Sequence, residues 1–251
     1  MTPRQIADDI ALCLVFFTRL PLPAFDFRGR ALAQAIWAAP LAGVAVGLAG
    51  GLVYLAALMF SVPVPVAAAL ALATTMLVSG CLHEDGLSDV ADGFGGGRTR
   101  EKKLEIMRDS RIGTYGAAAL LMSVLIRWSA IAALANPFYA CTALIAAHAA
   151  SRALLPAFMH MLPPARTDGL AAGAGTVAVN TAYVALAIGA VALLASSLGG
   201  LVPAAILLAL VFVGFRTLCL RQIGGQTGDT LGALQQLGEI AVLVAAAATL
   251  T

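Results

Sequence analysis

Four carboxylates, Glu84, Asp85, Asp89 and Asp92, fall within nine residues of a chain that is only 11% charged. Like charges at that density repel, and beside a low-dielectric medium they either take up protons or hold a counterion, most simply a divalent metal. If the helix expected before them continues past His83, then Asp85, Asp89 and Asp92 recur at i, i+4 and i+7 and share one stripe. Such a row of hard oxygen donors suits Mg²⁺, which binds through one or two carboxylates together with substrate phosphates. A solvated acidic surface is the alternative, although a row without interleaved Lys or Arg weakens a helix. Glu84 points to another face. His83 is placed to donate to a carboxylate or phosphate, or to be satisfied by backbone at a helix end.

Two further polar islands carry phosphate chemistry. Gly93, Gly95, Gly96 and Gly97 follow the acids and end in Arg98, a run that lets backbone N–H groups approach an anion or serves as a linker. Residues 101–109 read as a short amphipathic helix leading to Arg108, Asp109, Ser110 and Arg111, a clamp for phosphate or ribose or an anchor at lipid headgroups. The second island, Gly224 to Ala233, holds Gly225, Gln226, Thr227 and Asp229 just before the last apolar segment, whose N-terminal amides favour an anionic group. No Gly-Lys-Ser/Thr follows, so it is not a P-loop.

The elements that must position these residues are membrane helices. With 61% hydrophobic residues, a mean hydropathy of +0.93 and repeated apolar runs of about twenty residues, the chain is an all-α, polytopic integral membrane protein forming one domain over 1–251. Spans are expected near 32–60, 64–82, 113–135, 138–161, 176–197, 200–216 and 232–250, about seven in all, separated by Pro- and Gly-rich turns. Residues 10–17 are too short to span and lack a signal-peptide pattern, so the N-terminus reads as an interfacial helix. Thirteen of the fifteen Lys and Arg fall before the first span or in loops 83–112, 162–176 and 216–231. Those loops are therefore expected in the cytoplasm, with the site facing it and the C-terminus outside. The acids collect at the same end; only Glu239 is plainly inside a helix.

Other classes fit less well. A net charge of +2, spread over several loops without aromatics, gives no nucleic-acid face. Cys13, Cys81, Cys141 and Cys219 stand singly, with neither disulfide nor zinc spacing. Arg127, His148 and Arg152 lie within spans and are expected to pair with one another or with Glu239, or to face a polar cavity; His160 belongs near a helix end.

The run His83-x-Asp85-Gly86-Leu87-x-Asp89-x-x-Asp92-Gly93, then Leu104 to Thr114 with Gly116, then Gly224 to Ala233 with Glu239, resembles the adenosylcobinamide-GDP ribazoletransferases, the cobalamin synthases of the late B12 pathway. Phe17-Thr18-Arg19-Leu20-Pro21-x-Pro23 is similar to the start of that family, so the likeness covers nearly the whole chain. It implies a Mg²⁺-dependent enzyme of the cell inner membrane that joins adenosylcobinamide-GDP to α-ribazole or its 5′-phosphate and releases GMP. Attack on the cobinamide-linked phosphorus needs metal on bridging oxygens, positive groups on developing charge and a base near the nucleophile. On this resemblance Asp85, Asp89 and Asp92 hold Mg²⁺; Arg19, His83, Arg108, Ser110, Arg111, Gly225, Gln226 and Thr227 bind substrate; and Asp229 or Asp109 accepts the proton. Beyond the bilayer, a second copy of the chain or other corrinoid enzymes are the partners it raises. Asp89-x-x-Asp92-Gly93 is also similar to the start of the CDP-alcohol phosphotransferase motif, but the later positions of that motif do not follow. A cation or proton transporter would instead place its acids near the bilayer midplane.

Overall fold

The structure, a computed structural model, describes residues 2–22, 29–134, 136–168, 173, 175–196 and 198–250. Pro23, Asp26 and Arg28 lie outside the described residues. All regular structure among the described residues is helical. Helix α1 (Pro3–Phe17) starts at a capping box in which Thr2 and Gln5 satisfy each other's backbone amides. Its buried residues are Asp9, Cys13 and Phe17, spaced by one turn. Asp9 accepts two bonds from Arg30, at 2.8 and 2.6 Å, and one from Trp37 Nε1 at 2.8 Å. That carboxylate ties α1 to α2 (Leu32–Ala35) and to the 3₁₀ turn Ile36–Ala38.

Seven helices of sixteen residues or more follow among the described residues. They are α3 (Ala39–Met59), α4 (Val64–Ser79), α7 (Thr114–Ala133), α8 (Pro137–Met161), α9 (Val179–Ser196), α10 (Leu198–Ile223) and α11 (Gly228–Thr249). Six stretches are long and apolar enough to cross alone, and the seventh is reached by counting α4 with the helix after it, α5 (Leu82–Gly96). The short α6 (Arg100–Ile106) caps the same end. The sixth pass is longer than expected, so the loop after it shrinks to the turn around Gly224 and Gly225.

The second span does not run on through His83, as the sequence suggested. It stops at Ser79, and α5 leaves it at 88°. Gly80 (φ 63°) and Cys81 (φ 54°) are both left-handed, and their amides return to Leu77 and Met76 in a helix-ending motif. The Arg19 amide takes the Val78 carbonyl at 2.7 Å, and the Arg19 side chain lies over Gly80. Helix α4 is about 24 Å long at 1.5 Å per residue and counts as a pass only together with α5, which turns away from it and carries the acids at one end of the bundle. The stripe survives because α5 is a helix in its own right.

Helix α8 is the central column, and its alanines let neighbours approach closely. A Cβ at Gly47 would lie 2.6 Å from the Ile145 backbone, and one at Gly189 would lie 2.5 Å from Ala153 Cβ. This is the small-residue packing that holds membrane helices together. Outward residues of α9 and α10, such as Val191, Val202 and Leu210, are exposed as a lipid-facing surface would be.

The intramembrane ionisable groups pair as expected. Arg127 reaches Glu84 and Glu239, both at 3.0 Å; His148 lies 3.3 Å from Glu239 and 3.1 Å from Arg152. Gln235, Gln236, Ser123 and Ser151 complete the cluster. The acid of α11 that a transporter would need free is thus held by Arg127. His160 bonds the Val177 carbonyl at 2.8 Å.

Candidate active site

Helix α5 reaches α11 at two glycines. A Cβ on Gly86 would lie 2.7 Å from the Asp229 carbonyl oxygen and 3.2 Å from Gly232 Cα, so the two backbones touch. That contact sets Asp85, beside Gly86, against Asp229 in the first turn of α11. Thr227 caps α11 through a reciprocal pair with Thr230, and its hydroxyl lies 3.2 Å from Asp229. Arg166 donates to the same carboxylate at 3.1 Å.

The loops at this end are stitched together, which is why residues far apart in sequence meet. The Gln226 amide bonds the Pro163 carbonyl at 2.9 Å, and the Ala165 amide bonds the Gln226 carbonyl at 2.8 Å. Arg100 donates to the Ala165 carbonyl at 2.8 Å, Lys103 bonds Gln222, and Arg108 pairs with Asp168.

The stripe of α5 divides into two functions. Asp92 is buried and accepts the Gly113 amide at 2.7 Å on one oxygen and the Gly116 amide at 2.8 Å on the other. It anchors the N-terminus of α7, where an anion is favoured; Gly113 and Gly116 are glycines because a Cβ on either would land on that carboxylate. Asp85 is exposed and Asp89 half-buried, both open to a cleft of about 830 Å³ that is also lined by Arg108, Asp109, Ser110 and Arg111. Partial burial, then the neighbouring Asp85, Asp229 and Asp92 carboxylates, push Asp89 up to about 7. Asp109 behaves oppositely: hydrogen bonds from Arg111 hold it down at about 2.

This donor set fits magnesium in kind. It offers hard oxygens, concentrated enough that one keeps its proton near neutrality. Among the described residues no three His, Cys, Asp or Glu form a ready-made cage. Asp85 and Asp89, with Asp229 across the glycine contact, match an ion that binds through one or two carboxylates plus phosphate oxygens.

His83 is buried in the first turn of α5. Burial, then the nearby Arg152, holds it well below the usual histidine range, so the ring is neutral. It stacks on Phe17 with ring centres 5.9 Å apart. Arg19 is exposed at the α4–α5 break. Gly225, Gln226 and Thr227 are buried and engaged in the loop junction, so Asp229 is the group this island presents. A Cβ on Gly93, Gly95 or Gly97 would meet Met107, Tyr115 or Lys103 within 2.7 Å, so these glycines admit α6 and the start of α7. Arg166, Gly86 and Phe17 were not singled out as site residues from sequence. The one signal Arg166 carries in the sequence is that it is the sole cation of the loop following two prolines.

The profile of the cobalamin-5-phosphate synthase family matches residues 9–247. Adenosylcobinamide-GDP ribazoletransferases from Mesorhizobium japonicum, Bradyrhizobium diazoefficiens and Brucella ovis are 62%, 53% and 43% identical, over 100%, 98% and 97% of this chain and 97%, 96% and 98% of theirs. No solved structure matches. Since the match runs from within α1 into the last turns of α11, taking in the acid helix, both loop islands and the glycine contact between them, the chain belongs to the cobalamin-5-phosphate synthase family.

Proposed function

We propose that the chain is a membrane transferase that joins adenosylcobinamide-GDP to α-ribazole, or its 5′-phosphate, with release of GMP. The observation that carries this is one cavity holding Asp85 and Asp89 beside Arg108 and Arg111, in a chain whose full-length relatives bear that activity in their name. Asp85 and Asp89 would hold Mg²⁺, with Asp229 facing them. When bound, the ion neutralises diphosphate charge and polarises the phosphorus under attack. Arg108 and Arg111 are exposed, and each is paired with a carboxylate that a phosphate displaces. Asp229 accepts the nucleophile's proton, with Arg166 and Thr227 orienting it. Asp109 is instead engaged by Arg111, whose hydrogen bonds hold it at about 2 until a phosphate takes that arginine. The charged end of the bundle faces the cytoplasm, across the inner membrane, by the placement of Lys and Arg.

The test is GMP release by purified protein supplied with adenosylcobinamide-GDP, α-ribazole and Mg²⁺. Chelation with EDTA abolishes it, and Asp89→Asn lowers kcat by about 100-fold or more, as expected for several kcal/mol of metal-borne stabilisation. Undiminished turnover in EDTA would end the metal assignment; no GMP from wild type would end the transferase assignment.

A further inference from the structure

Arg216 is a charge without a partner at the edge of the apolar layer. The other arginines within spans are engaged: Arg127 by Glu84 and Glu239, Arg152 by His148. Arg216 follows directly on the apolar run of α10 that ends at Phe215. Among the described residues it makes no ion pair or hydrogen bond, and its Nε is buried and unsatisfied. A guanidinium left so at the boundary of the hydrocarbon is costly, and an anion relieves it.

Beneath it runs a groove of about 410 Å³ between α8, α9 and α10. The groove exists because small residues face one another there: Ala150, Ala153 and Ala157 on α8, Gly189 on α9, Ala205 and Ala209 on α10. No polar side chain lines it. Ala205, Ala209, Phe212, Val213 and Arg216 recur at i, i+4, i+7, i+8 and i+11, one stripe of α10. A helical side chain leans over the turn before it, so Arg216 overhangs the groove at Phe212 and Val213. On α8 the groove extends from Ala150 to Met161, about 16 Å at 1.5 Å per residue. That is roughly half of a ~30 Å hydrocarbon core, the leaflet on the side of the charged loops. A helix of a second copy, about 10–12 Å across, would need several times this volume over the same length. An extended hydrocarbon chain does not.

We propose that this groove is the binding site of one anionic phospholipid, an acyl chain lying along Ala153, Gly189 and Ala209 and the phosphate resting on the Arg216 guanidinium. The planar fork of arginine meets a phosphate with two parallel N–H donors. The acyl chain exchanges lipid neighbours for protein neighbours, so it gains no hydrophobic free energy by entering, and the head group decides retention. No carboxylate lines the groove or lies on the Arg216 stripe, so the ammonium of a zwitterionic head group finds no counter-charge. The site shares no lining residue with the acid cleft, and it rests on the membrane assignment rather than on the transferase reaction.

Native mass spectrometry of the full chain in detergent, titrated with phosphatidylglycerol or phosphatidylcholine of identical acyl chains, tests both halves of the site. Wild type is expected to retain one phosphatidylglycerol per chain with a Kd about tenfold below that for phosphatidylcholine, the size of one charge-assisted hydrogen bond. Arg216→Gln brings that ratio to about one. Ala209→Trp, which fills the groove from an exposed wall, weakens retention of either lipid about tenfold. Should it not fold, Val213→Trp, on the same stripe and 61% exposed, takes its place. Arg221→Gln, which removes an exposed cation from another face of α10, leaves both readings unchanged. An unaltered ratio in Arg216→Gln, unaltered retention in the tryptophan variant, or an equal loss of the ratio in Arg221→Gln overturns the site. Retention is read without turnover, so its failure leaves the transferase assignment standing.

Discussion

Asp89 shows how much a single position can carry. With its carboxyl pushed up to about 7, it is mostly protonated at pH 6 and mostly ionised at pH 8. Mg²⁺ binds only the carboxylate, so binding releases a proton and weakens as pH falls through 7. The Mg²⁺ concentration giving half-maximal GMP release is expected to rise about tenfold from pH 8 to pH 6, and Asp89→Asn, which cannot titrate, should abolish that slope along with most of the activity. The stripe was readable in the sequence because i, i+4, i+7 spacing fixes a common face whatever the helix packs against. The division of labour within it was not. Whether Asp92 meets metal or the amides of Gly113 and Gly116 depends on a contact twenty-one residues away, and Arg166 meets Asp229 across sixty-three.

At the scale of elements, the site depends on how closely α5 and α11 approach. Gly86→Ala puts a methyl against the Asp229 carbonyl, at a distance that real atoms do not adopt. The helices must then separate, at a cost of about 1–3 kcal/mol. A misplacement near 1 Å lowers turnover by about 100-fold. Gly96→Ala, which meets only Ile106 Cδ1 at 3.5 Å, is the control and should be near neutral in both activity and thermal unfolding. Helix identity and order were legible from apolar runs and proline punctuation. The break is marked in the sequence only by Gly80, a helix-end signal outweighed by the apolar residues on both sides, because a non-glycine at φ 54° such as Cys81 carries no mark. The glycines after Asp92 misled for a related reason: a glycine that admits a neighbouring helix looks the same in sequence as one that admits a phosphate.

For the whole molecule, Arg127 joins α5, α7 and α11 through Glu84 and Glu239. Removing one partner of a buried pair leaves uncompensated charge, so Arg127→Met is expected to destabilise by about 3–5 kcal/mol. Adding Glu84→Gln should recover much of that, since Glu239 is then left to balance the buried Arg152 and the cluster carries no net charge; unfolding midpoints of the single and double variants in nanodiscs check this. Counting α4 with α5 as the seventh pass puts the first and last spans' outer ends on opposite sides of the membrane. An enzymatic reporter active only in the cytoplasm should be silent after Thr251 and active when inserted near Asp168; the reverse would invert the proposed topology. That Arg127 would pair was foreseeable, because an unpaired guanidinium within a span is too costly to persist.

Asp9 takes no part in the chemistry, yet it is what holds α1 down, through Arg30 and Trp37. Phe16 and Phe17 at the far end of α1 line a hollow that reaches Asp85 and Asp229 at its edge. One wall of that hollow is therefore set in part by an acid eight residues upstream of Phe17, so its shape can drift under selection without touching any group that reacts. Substitution at Asp9 is then expected to alter the hollow as surely as substitution inside it.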